Sequence, residues 1–285
     1  MTNFDRNNLT PNWLPPLSND KKLLEARISF FKNNDNQTLR HITLEYEDFI
    51  NAFEKSIKEN NSIKVSGLEL FRQKDVIIGC LQFIDQLIMT HGLHNLQLFE
   101  GGYEYYKKLD PKIKFVTLDT IQPGKPLVIE YPFPLNLGEH PDYKKIIEKC
   151  NNLGVDVYLD CAWLPASFDL ELDLHQPCIK GMGMSLSKCY GLHWSRIGVR
   201  WLKHAVDDAT HFQNKRRMVS YPNLMIGQYY LDRFPMDYLV KKYRGKYEHI
   251  CEELNFKKAN TVLGAYSLDD NIKYGFKDLL LKDYA

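Results

Sequence analysis

Between residues 77 and 184, short apolar runs of strand length alternate with segments whose apolar residues recur every three or four positions. The runs fall at 96–99, 115–118, 127–130, 155–160 and 179–184, and the helix-periodic segments at 79–91 and 140–151. Runs that are apolar at successive positions belong to strands covered on both faces, and the helices between them supply the cover. The pattern predicts an α/β fold: a three-layer αβα arrangement around a mostly parallel central sheet. Ligands of such sheets gather beyond the carboxyl ends of strands, so the residues that close each run are where chemistry is expected.

The flanks read differently. Pro11, Pro15 and Pro16 make the first twenty residues an extended arm. Residues 30–61 are polar and partly helical, with Tyr46, Phe49, Ile50, Phe53 and Ile57 forming one apolar stripe. Gly92 ends the 79–91 helix. After Arg200 and Trp201, helical patterns recur at 203–217, 226–231 and 238–254. The expected organisation is an N-terminal arm and helical segment over 1–60, a major domain over 61–235 and a shortened C-terminal segment over 236–285.

At 285 residues the chain can bury one large α/β core with a small appendage. A formal net charge of +1 gives no electrostatic reason to expect nucleic acid or an anionic membrane as partner. The six cysteines, at 80, 150, 161, 178, 189 and 251, show no framework spacing and suit a reducing compartment. No apolar stretch approaches the roughly 18 to 20 residues that span a bilayer, and residues 1–5 show no basic region leading into an apolar one. A cytoplasmic location is the expectation. His91 and His94 lie three apart with no thiol or carboxylate placed beside them, so no metal site is expected.

The chemistry concentrates between residues 157 and 198. Asp160 closes the run Val157-Tyr158-Leu159-Asp160, and Cys161, Ala162 and Trp163 follow it. The run ending at Met184 leads into Ser185-Leu186-Ser187-Lys188-Cys189-Tyr190-Gly191, and then Arg196-Ile197-Gly198. This layout suits a site that holds pyridoxal phosphate as an imine. Such a site needs a lysine that can lose its proton, and Lys188 is the candidate. It needs a carboxylate at the pyridine nitrogen, because an opposite charge there keeps the ring protonated and electron-accepting; Asp160 fits. It also needs hydroxyls and a guanidinium for the phosphate, which Ser185, Ser187 and Arg196 can supply.

The stretch from about Asp160 to Gly198 resembles the fold-type I pyridoxal-phosphate enzymes, and within them the class I/II aminotransferases. Those carry Asp-x-Ala-Tyr at a strand end, then Ser-x-Ser-Lys-x-x-Gly, then Arg-x-Gly. Trp163 stands where the tyrosine usually is, and Trp194 where a glycine often precedes the arginine. The resemblance extends upstream. Gly79, Cys80 and Leu81 match the glycine turn into a helix whose N–H groups hold the phosphate. Tyr103 in Gly101-Gly102-Tyr103 matches the ring-stacking aromatic, and Asn136, two residues before Gly138, is the nearest match to the asparagine that meets the cofactor hydroxyl. The resemblance implies a PLP-dependent transferase-like major domain with a reduced C-terminal small domain, and a homodimer whose subunits complete each other's sites, the aromatic N-terminal segment being one candidate contact.

The function implied is a PLP-dependent aminotransferase acting on an amino acid or related amine through a Lys188 imine. The alternative is another PLP-dependent reaction, such as decarboxylation, elimination or oxidation; a non-catalytic PLP-fold protein is a third. One departure bears on the choice. Relatives clamp the substrate carboxylate with an arginine of the C-terminal domain, and here no arginine lies beyond Arg244. Arg72, Arg216, Arg217 and Arg233 are available in its place.

Overall fold

The computed structural model of the chain describes residues 4–34 and 44–282; residues 1–3 and 35–43 of the expected 1–60 segment, and 283–285 of the expected 236–285 segment, lie outside the described residues. Its strands, in chain order, are β1 (Thr10–Pro11), β2 (Ile63–Ser66), β3 (Gln73–Ile77), β4 (Gln97–Leu98), β5 (Leu127–Glu130), β6 (Val157–Asp160), β7 (Leu170–Asp173), β8 (Ile179–Ser185), β9 (Gly198–Leu202), β10 (Phe256–Lys257), β11 (Gly264–Ser267) and β12 (Lys273–Gly275).

Six of these form the central sheet, in the order β3-β9-β8-β6-β5-β4. The sheet is mixed, which corrects the expectation of a mostly parallel one. The pairs β4·β5, β5·β6 and β6·β8 are parallel, but β9 runs antiparallel to both β8 and β3. A parallel return requires a long crossover, usually helical, and the 186–197 connection holds no helix, so β9 folds straight back along β8. That return loop carries Lys188 and Arg196.

Both faces of the sheet are covered. Val128 packs with Phe83, Ile84 and Leu87 of the helix Cys80–His91, whereas its neighbours Leu127 and Ile129 pack with Ile146, Ile147 and Cys150 of the helix Tyr143–Leu153. Side chains of period two thus feed two apolar layers. The expected stripe on the helix Tyr46–Lys58 is buried at Tyr46, Phe49, Ile50, Phe53 and Ile57, and Phe53 meets Trp201 of β9 edge to face at 5.6 Å. Within the expected 203–217 helix only Ala209–Lys215 is helical.

Outside the central sheet, β2 pairs in parallel with β7, and β1, β12, β11 and β10 form a small antiparallel sheet. The N-terminal arm therefore joins the C-terminal strands. Fully buried Asp20 holds this junction: it caps the helix Lys21–Asn33 by accepting from Leu23 N–H at 3.1 Å, and accepts from Tyr243 Oη at 2.6 Å and Lys242 Nζ at 2.5 Å. Among the described residues no helix is long and apolar enough to cross a membrane.

Candidate active site

Asp160 closes β6 on the face covered by the helix Cys80–His91, 7% exposed. Burial pushes its acid up to about 6, against the Ala162 N–H that donates to Oδ1 at 2.9 Å, the Cys80 thiol and the charge of Lys188. At neutral pH it is the anion of the site.

Lys188 lies in the turn after β8, half-buried. Leu186 N–H donates to Ile197 O at 3.0 Å and Tyr190 N–H to Leu186 O at 3.2 Å, which fixes the turn. Gly191 follows at φ +65°, and a Cβ there would meet Ser18 Cα at 2.5 Å, so the arm threads past the motif where only glycine leaves room. The Lys188 amine lies 4.8 Å over the Trp163 ring. Burial first and the Arg196 charge second lower its pKa to about 8, with Asp160 opposing. The amine therefore sheds its proton far more readily than a free lysine and is available to attack or to accept a proton at slightly alkaline pH.

At the other end of the site, Gly79 precedes the helix Cys80–His91 at φ +95°, and a Cβ on it would lie 3.0 Å from Arg196 Nε. The guanidinium therefore sits directly against the turn. The N–H groups of Cys80 and Leu81, in the first helical turn, have no carbonyl one turn back, while Gln82 Oε1 accepts from Ile78 N–H at 2.8 Å. Ser185 is buried, and Ser187 Oγ is buried without any hydrogen-bond partner. A guanidinium and helical N–H groups meet at this turn, with the Ser185 hydroxyl against Cys80, and the donor set of this cradle fits a phosphate dianion.

Tyr103 stacks on Tyr105 with ring centroids 5.9 Å apart at 24°. Its hydroxyl is pushed up by burial and by the Asp160 charge, against that of Arg196, so the ring belongs to the same cluster. Ala162 and Trp163 follow Asp160 into it. Asn136 lies in the turn closed by the Phe133–Gly138 bridge, and no hydrogen bond among the described residues links its side chain to the cluster. Trp194, 83% exposed, stands outside. Of the four arginines named above as available, Arg217 pairs with Glu45, Arg233 lies 3.6 Å over the Tyr229 ring and Arg216 5.6 Å over Phe212.

Two features escape the sequence patterns. Glu130, 5% exposed at the end of β5, is the register partner of Asp160. Its signal is a carboxylate closing an apolar run, as Asp160 does, on what proves to be the adjacent strand. The second is a set of cations near Lys188: His193 is lowered by burial and, against its contact with the Gly191 carbonyl, by Lys188, Lys277 and Arg27.

No protein-family model matches the chain, and no curated protein is similar to it in sequence. Solved structures do match. Tyrosine aminotransferase from Leishmania infantum gives a TM-score of 0.62 at 10% identity, covering 88% of this chain and 81% of that one. Alanine aminotransferase from Pyrococcus furiosus gives 0.59 at 15%, covering 89% and 73%. The PLP-bound C-S lyase from Staphylococcus hominis gives 0.57 at 11%, covering 86% and 71%. The fold is that of the fold-type I PLP-dependent enzymes.

Proposed function

We propose that the chain binds pyridoxal phosphate through Lys188 and acts as an aminotransferase on an amino acid or related amine. The observation behind this reading is the single cluster that joins a lysine lowered to about 8, a buried anion at Asp160 and the turn of Gly79 and Cys80 against Arg196 and Ser185. Bound pyridoxal phosphate supplies an aldehyde for amines and a heterocycle that accepts electrons. Arg196, Ser185, Ser187 and the N–H groups of Cys80 and Leu81 would hold its phosphate. Asp160 would face the ring nitrogen, Tyr103, Ala162 and Trp163 would bracket the ring, and Asn136 is the candidate for its hydroxyl. Lys188, neutral at slightly alkaline pH, moves the proton on the substrate.

A second reading is another PLP-dependent reaction of an amino acid, since a C-S lyase shares the fold. In either case Arg27 and Lys277, which both act on His193 near Lys188, are candidates to meet a substrate acid. A cytoplasmic homodimer remains the assembly we propose. Single-turnover reaction of the cofactor-loaded protein with a panel of amino acids separates the readings. Transamination releases a 2-oxo acid and leaves the amine form of the cofactor; carbon dioxide, ammonia or peroxide as product means the second reading.

A further inference from the structure

Glu130 closes β5 as Asp160 closes β6, and the two are partners across a parallel ladder, so both carboxyls rise from one face at neighbouring positions. Two bare carboxylates buried side by side would each lose hydration and repel the other. Their surroundings separate them. Asp160 receives the Ala162 N–H and faces the Cys80 thiol and the Lys188 cation. Glu130 receives only the Tyr103 N–H, at 2.8 Å on Oε1, along with its own backbone, and Oε2 is buried with no partner.

The groups facing Glu130 are Asp160 on β6 and Tyr103 and Tyr106 on the segment after β4, with Asp85 and Glu104 beside those tyrosines. The cations Lys188 and Arg196 act on Asp160 and Tyr103 instead. A bare oxygen without a donor is costly in such a place, whereas a protonated one becomes a donor itself. Burial and the Asp160 charge push the Glu130 acid up to about 8, in agreement. The carboxyl also underlies the segment that carries Tyr103: a Cβ on Gly102 would meet Oε2 at 2.7 Å.

Resting on the cofactor-site reading above, we propose that Glu130 is a positioning residue held as the neutral acid, which leaves the negative charge of the pair to Asp160 and anchors the 101–103 segment beside the ring-binding space.

Glu130→Gln keeps the shape and neutrality of that acid and removes its titration. A carboxyl raised from 4.5 to about 8 lets the folded chain hold a proton that the unfolded chain has released, so its stabilising contribution falls as pH rises through that window. The full chain without added cofactor is melted across this range. The midpoint of E130Q minus that of wild type should widen by several degrees from about pH 5 to about pH 8.5, and a constant gap would overturn the neutral acid. Should E130Q not fold, infrared difference spectra of the wild type must lose a protonated carboxyl band near pH 8, at lower pH in Asp160→Asn; no such band overturns it equally. Pyridoxal phosphate binding at neutral pH should be kept within about threefold in E130Q and weakened about tenfold in Glu130→Ala, which frees the Tyr103 N–H. Equal weakening in both would make Glu130 the anion. If the wild type binds no pyridoxal phosphate, the functional reading and the positioning role fall together, while the melting gap still decides the protonation state.

Discussion

The Lys188 amine lies 4.8 Å over the ring of Trp163, three residues beyond Asp160. An aromatic face attracts the charged amine by about 0.5 to 1 kcal/mol, so this contact opposes the burial that lowers Lys188 to about 8. Trp163→Leu should lower the titration point of Lys188 by about half a unit. The pH dependence of single-site trapping by an aldehyde reagent measures it; an unchanged or raised point would mean that the ring does not stabilise the cation.

Gly79→Ala tests the cradle. At φ +95° an alanine is strained, and its Cβ would press on the Arg196 guanidinium at 3.0 Å. The expected cost is about 1 to 3 kcal/mol of stability, together with a loss of about tenfold or more in pyridoxal phosphate affinity. Urea unfolding and a cofactor titration read the two separately, and normal affinity in a destabilised variant would remove Gly79 from the cradle.

Activity should rise with pH in two steps. Asp160 gains its charge above about pH 6 and Lys188 loses its proton above about pH 8, so both active forms are favoured by raising the pH between these points. Asp160→Asn should remove the lower step and slow turnover by about a hundredfold or more. A rate profile that falls between pH 6 and 8, or an asparagine variant of full activity, would contradict the assignment.

Away from the site, Arg200 is buried in β9, where it bonds Asp75 Oδ2 at 2.8 and 3.0 Å and Asp208 at 2.6 Å through two nitrogens. Arg200→Met leaves buried Asp75 with only the His211 ring and the Gln73 amide and should cost about 3 to 5 kcal/mol. Denaturant unfolding checks this, and a loss under about 1 kcal/mol would show that the network is only a surface-like pair.

Much of the site is legible because its residues lie in short local patterns. Gly79 announces the turn into the helix Cys80–His91, Asp160 ends an apolar run, and Lys188, Gly191 and Arg196 share one loop. What depends on strand neighbours is hidden. Glu130 gains meaning only once β5 lies beside β6 in register with Asp160, and the reversed β9 follows from a loop too irregular to read as a crossover or a tight turn. Likewise Arg27 and Lys277, 250 positions apart in sequence, meet near His193 only through the pairing of β1 with β12 and the packing of the N-terminal helix.

The decisive measurement is borohydride reduction of the protein mixed with pyridoxal phosphate, followed by digestion and mass spectrometry. A pyridoxyl phosphate mass on the peptide containing Lys188, absent from Lys188→Ala, is the predicted result. No label, or the same label on another lysine with Lys188 unmodified, would contradict it.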